Sequence, residues 1–144
     1  MNCCDLKTLI LNSPAQAQFK GIVTPNSTRR RLTNGFWVVF LNPNKQPVGH
    51  YAGLYVKNDR AWFFNSLGYL NGHRQVRELL KNFKTTYNVR QLQSELTQVC
   101  ALYVLYFFIR LAEGSTFERI IDEFPHDTLV NDLFVFTKTK CYYQ

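Results

Sequence analysis

Cys100-Ala101-Leu102-Tyr103-Val104-Leu105-Tyr106-Phe107-Phe108-Ile109 is the stretch that decides the fold of this 144-residue chain. From Ala101 to Ile109 every side chain is apolar or aromatic, so the run leaves no face for water and reads as a helix buried all round. Such a helix needs other elements packed about it. Cys100 falls in its first turn, where unpaired N–H groups and the macrodipole favour a thiolate over a thiol. A sulfur placed there is a candidate nucleophile, although a cysteine beside an apolar run is also simply a small buried hydrophobe.

Upstream of the run, residues 36–41 are β-branched and aromatic and read as a strand, closed by the turn Asn42-Pro43-Asn44. His50 to Val56 gives a second strand, Asn58-Asp59 a turn, and Ala61 to Asn65 the hairpin partner. Near Gly72 the period changes. Val76, Leu79, Leu80 and Phe83 recur at i, i+3, i+4 and i+7, which predicts an amphipathic helix. Its opposite side carries Arg74, Arg77, Lys81 and Lys84 as a basic stripe. Tyr87 to Leu92 reads as a strand leading into the buried helix, which starts near Thr97 and ends at Gly114.

Downstream, Ser115 and Glu118 form a capping box for a helix bearing Phe117, Ile120, Ile121 and Phe124, stopped by Pro125. A last helix from about Asp127 to Phe136 is expected to turn Leu129, Val130 and Leu133 inward. Residues 5–11 read as a short amphipathic helix through Leu6, Leu9 and Ile10, ended by Asn12-Ser13-Pro14. Residues 15–34 read as loop and contain the cluster Arg29-Arg30-Arg31. There is no internal repeat, linker or low-complexity tract. The order of helix, small sheet, then helices defines one α+β domain over residues 1–144, a small central mixed sheet packed against the buried helix.

The chain is long enough for a sizeable core, and its 12 phenylalanines exclude a disordered polypeptide. No apolar stretch approaches the roughly 18 residues of a membrane span. The segment Met1-Asn2-Cys3-Cys4-Asp5 lacks a basic-then-apolar leader pattern, so an intracellular protein is expected. Four cysteines (Cys3, Cys4, Cys100, Cys141) without a CxxC pair form no disulfide framework, and fit a reducing compartment. His50, His73 and His126 are scattered, so no metal site is expected. The net charge of +7 points to an acidic partner, most simply nucleic acid, held by Arg29, Arg30 and Arg31 with the helical stripe.

The chemistry rests on four residues. His50 follows Gly49 at the start of a strand, and Asn65 ends the next one; if the two strands pair through Asn58-Asp59, both residues reach the same end of the sheet. Asn65 would then accept the Nδ1 proton of His50 and turn Nε2 toward the Cys100 thiol. Gln93, at the end of the strand before the buried helix, would aim its amide N–H₂ at an oxyanion beside the Cys100 backbone N–H. Each residue alone has an ordinary structural use, as buried polar group, turn former or surface amide. Their order, histidine, strand-end amide, glutamine, then cysteine at the head of a buried helix, is that of a thiol protease.

That arrangement resembles the adenovirus-type (adenain-like) maturation cysteine proteases and, more distantly, the SUMO-specific proteases. The resemblance lies in Val38-Val39-Phe40-Leu41-Asn42, Gly49-His50-Tyr51, Phe63-Phe64-Asn65-Ser66-Leu67-Gly68, and Gln93 to Cys100 with Tyr103, Phe107 and Phe108 following. The lead-in Phe19-Lys20-Gly21-Ile22-Val23 is similar too, and the match runs over roughly residues 5 to 125. The chain departs from the family in having Asn65 where an acid is usual, Ala101 where glycine follows the nucleophile, and Tyr51 where a tryptophan covers the histidine. It has no cysteine shortly before Gln93, where the adenoviral enzyme links to its peptide activator.

The resemblance implies a cysteine endopeptidase with His50, Asn65 and Cys100 catalytic and Gln93 with Cys100 as the oxyanion hole. It implies cleavage at small-residue, glycine-type sites in viral capsid and core precursors, inside a host nucleus, cytoplasm or viral factory, with packaging in the virion. No metal or organic cofactor is implied; DNA and a viral peptide activator are the candidate cofactors. Two rivals stand beside it: an inactive protease-fold binding or assembly module, and an isopeptidase acting on ubiquitin-like tails.

Overall fold

The computed structural model describes residues 3–25, 31–41, 49–68 and 74–143. Strands β1 (Phe19–Val23), β2 (Gly35–Leu41), β3 (His50–Lys57), β4 (Arg60–Phe64) and β5 (Lys84–Tyr87) lie side by side in sequence order in one sheet. The middle three form an antiparallel meander, and β1 and β5 pair in parallel at its edges. Helices α1 (Cys3–Leu11), α2 (Arg74–Leu79), α3 (Cys100–Ala112), α4 (Phe117–Asp122) and α5 (Thr128–Thr139) complete an α+β architecture around this mixed sheet.

The two-residue alternation of β2 explains its unbroken apolar run. Phe36 and Val38 face α3, while Trp37, Val39 and Leu41 face the side covered by Val76 and Leu80 from α2 and its following turn. On the α3 face, Phe107 stacks on Phe64 with centroids 4.5 Å apart, and Phe108 stacks on Phe36 at 5.0 Å. Gly53 permits this approach: a Cβ there would sit 2.9 Å from the Phe107 ring. All the side chains from Cys100 to Ile109 are buried, as the sequence of that run requires. Gly114, at φ 97°, ends the helix. Its N–H bonds the Leu111 carbonyl and the Ser115 N–H bonds that of Arg110, satisfying two orphan acceptors.

The β3–β4 hairpin closes through Asn58 and Asp59, with Lys57 opposite Arg60 and Asn58 at φ 58°, a conformation asparagine tolerates. Elsewhere the sequence expectations need correction. Residues 19–23, expected in a loop, form β1, because Ile22 and Val23 gain buried partners in Val38 and Val39. Gly21 at φ 149° and the register shift beside it hide the strand's alternation. The strand expected at 87–92 instead occupies residues 84–87, and α2 ends at Leu79 short of the expected Phe83, so Lys81 and Lys84 both leave the helical stripe, Lys84 standing opposite Arg60. The cap of α4 is Thr116, accepting from the Arg119 N–H, not Ser115.

The largest reversal is in α5. Leu129, Val130 and Leu133, expected inward, are 57%, 49% and 66% exposed, and the helix buries Asn131, Asp132, Val135 and Thr139 instead. The cause is polar. Asn131 donates to the carbonyls of Leu92 (3.1 Å) and Pro125 (2.9 Å), and Asp132 accepts from the segment between Leu92 and α3. Asp127, expected as the first residue of the helix, is its N-cap, accepting from the Leu129 and Val130 N–H groups. The turn expected at Asn42-Pro43-Asn44, Gly72, His73, and the side chains of Cys3 and Cys4 lie outside the described residues. No helix among those described is long and apolar enough to cross a membrane.

Candidate active site

Asn65 is the first residue beyond β4, and its backbone enters a tight turn in which the Gly68 N–H bonds the Asn65 carbonyl at 2.8 Å. Gly68 takes φ 84°, and a Cβ there would lie 2.7 Å from the Val89 carbonyl. The side chain closes an Asx turn by accepting the Leu67 N–H at 3.0 Å. A backbone N–H can only donate, so the atom facing it is Asn65 Oδ1. That oxygen also lies 2.7 Å from His50 Nε2 and can only accept. The ring proton therefore sits on Nε2, and Nδ1 is the basic nitrogen of the neutral imidazole.

This corrects the expected orientation, in which Nδ1 faced Asn65 and Nε2 the sulfur. The pairing itself occurs, because the hairpin brings His50 and Asn65 to one end of the sheet as the turn at 58–59 demands. Asn65 is 1% exposed, and its Nδ2 is buried without a hydrogen-bond partner. Among the described residues, the amide makes its side-chain contacts through its oxygen.

Cys100 is the first residue of α3 and 7% exposed. Burial pushes its thiol above the ordinary range, and hydrogen bonds from the backbone N–H groups of Tyr51, Ala101 and Cys100 pull the other way. Desolvation is the larger effect, so the resting sulfur is held as a thiol. Burial thus opposes the thiolate that the helix N-terminus favours.

Gln93 lies in irregular chain rather than at a strand end. It is buried, accepts from Ser66 Oγ at 2.6 Å and donates from Nε2 to the Thr97 carbonyl at 3.0 Å. A carbonyl cannot donate, which fixes the amide and leaves its second N–H for another acceptor. The Ser66 carbonyl receives the N–H groups of Leu92 and Gln93 at 2.8 and 2.9 Å, so the Asn65 turn and the Gln93 segment are one unit.

His50, Gln93, Cys100 and Ala101 line one cleft of about 250 Å³, together with Gly49, Tyr51, Leu67, Glu95, Thr97 and Gln98. The four residues singled out from the sequence are thus gathered at one place, Asn65 behind His50. Four further residues support them. Ser66 orients Gln93, Asn88 holds the Asn65 backbone, and Asp132 with Tyr103 ties down the segment from Leu92 to Thr97. Only Ser66 carried a signal in the sequence, through its place in the Asn65–Gly68 motif.

None of the described arginine and lysine residues lines this cleft. Arg31, Arg74, Arg77 and Lys81 are exposed, and Lys81 lies 3.6 Å from Glu78. Arg31 and Lys81, with Lys20, line a cavity of about 1070 Å³ by the Asn58-Asp59 turn, beyond the opposite end of β3 from His50. Arg29 and Arg30 lie outside the described residues. Among those described, no cluster of three histidine, cysteine or acidic side chains could hold a metal ion.

No protein-family model matches the chain, and no curated protein is similar to it.

Proposed function

We propose that this chain is a cysteine endopeptidase of the adenain-like type. The observation that carries the reading is that His50, Gln93 and Cys100 share one cleft while the Asn65 oxygen holds His50 with Nδ1 as its base. In the proposed reaction Nδ1 takes the Cys100 proton as Sγ attacks the substrate carbonyl. The second N–H of Gln93 and the Cys100 backbone N–H receive the oxyanion, each such donor being worth roughly 3–4 kcal/mol. The imidazolium then protonates the leaving amine, and water attacks the thioester to release the acid and restore the thiol. Because burial keeps the resting sulfur protonated, proton transfer accompanies attack instead of preceding it.

Gly49 and Ala101 line the cleft, and small residues at the scissile bond are proposed from the resemblance to the adenain-like proteases. Its substrates are proposed to be capsid and core precursors of a DNA virus, inside the infected cell. Arg31, Arg74, Arg77 and Lys81 supply a surface for DNA, whose grip would be sequence-independent and would fall steeply with salt. Lys84, separated onto β5, belongs to a different part of that surface.

A second reading, a binding or assembly module on the same fold, is favoured by the raised thiol of Cys100 and by the uncharged Asn65. Incubation with a peptide library, read by mass spectrometry of new termini, separates the two. Cleavage adjacent to glycine and other small residues is expected. Retention of library peptides without any cleaved product would overturn the protease reading.

A further inference from the structure

The parallel ladder between β4 and β5 stops at the pair Phe63–Tyr87, two residues short of Asn65. Asn88 takes over there with its side chain. Its Oδ1 accepts the Asn65 N–H at 2.8 Å, and its Nδ2 donates to the Asn65 carbonyl at 2.7 Å and to the Arg90 carbonyl at 3.2 Å. The backbone partners fix this amide, since an N–H must meet oxygen and a carbonyl must meet nitrogen. Asn88 is 4% exposed, so water does not compete for these bonds. A primary amide thus stands in for a strand peptide, gripping both backbone polar groups of Asn65, whose side chain holds His50.

We propose that Asn88 is a positioning residue for the imidazole. It fixes the Asn65 peptide so that Oδ1 stays where it can accept from both the Leu67 N–H and His50 Nε2, and thereby keeps the proton on Nε2 and the lone pair on Nδ1. A backbone ladder would hold Asn65 equally well in a strand. Here the chain must turn sharply between Asn65 and Gly68, and a side chain can pair with a residue whose neighbours have left the sheet. The consequence for peptide cleavage rests on the reading above; the tautomer does not.

The test is nitrogen NMR of the full chain with ¹⁵N-labelled histidine, at a pH where the His50 ring is neutral. The wild-type protein should show the Nε2–H tautomer. Asn88→Asp keeps the acceptor and the size but sets an oxygen against the Asn65 carbonyl, and should give a mixture of tautomers, as should Asn88→Ala. Alkylation of Cys100 by iodoacetamide at that pH should slow by roughly tenfold, less than the 10²–10⁴-fold that a general base itself supplies. A purely structural role would lower the melting temperature of Asn88→Asp and leave the tautomer unchanged, which overturns the proposal. An Nδ1–H tautomer in the wild-type spectrum overturns it without any variant. If no substrate is ever cleaved but the tautomer still responds to Asn88, the protease reading fails and the positioning role stands.

Discussion

Cys100→Ala is expected to abolish peptide cleavage while leaving the fold in place. The residue is a buried member of the core around α3, but only its sulfur is lost, and a deletion of that size costs about 1 kcal/mol. The three N–H groups that face the sulfur lose a weak acceptor, but they belong to a strand and a helix end whose positions are fixed by other contacts, so the fold is kept. Loss of cleavage with an unchanged far-ultraviolet spectrum and a small shift in the urea midpoint would make the effect chemical. Cleavage surviving in Cys100→Ala would mean that another group, or a contaminant, is the nucleophile.

Asp132→Ala should give the largest stability loss of any single polar substitution away from the cleft. Its carboxyl accepts the Tyr103 hydroxyl at 2.7 Å, the Thr97 hydroxyl at 2.9 Å and the Ser94 N–H at 3.3 Å. Removing it strands the Ser94 N–H and leaves the Tyr103 and Thr97 hydroxyls only their 3.2 Å bonds to the Leu92 and Ser94 carbonyls, for an expected total of roughly 2–4 kcal/mol. The effect should also reach the site, because the Thr97 carbonyl is the acceptor that aligns Gln93. Urea unfolding with an unchanged m-value measures the first effect, and turnover of a cleaved peptide below the melting range the second. A loss under about 1 kcal/mol would mean that water replaces the carboxylate and that α5 does not brace the segment.

What was legible in the sequence follows from how local each signal is. The buried helix, the hairpin turn at Asn58-Asp59 and the meeting of His50 with Asn65 come from short patterns, and the structure contains all three. The α5 face does not, because periodicity counts Leu129, Val130 and Leu133 as core. It cannot see that Asn131 and Asp132 have buried partners almost forty residues away. Asn88 was invisible for the same reason: its partner, Asn65, follows a different strand 23 residues away. The ring nitrogen that faces Asn65 depends on a rotamer, which no spacing encodes. Helix position alone predicted a thiolate at Cys100; burial, a property of the whole fold, acts in the other direction.

The claim at the centre of the account is that His50 activates Cys100. Limiting iodoacetamide, applied across pH to the wild-type protein and to His50→Ala and mapped by mass spectrometry, tests it directly. Because burial raises the Cys100 thiol, a sulfur without a base should react only at higher pH than the exposed Cys141. His50→Ala should show that profile, and the wild type a Cys100 that reacts at lower pH than Cys141. Identical Cys100 profiles in the two proteins would contradict it.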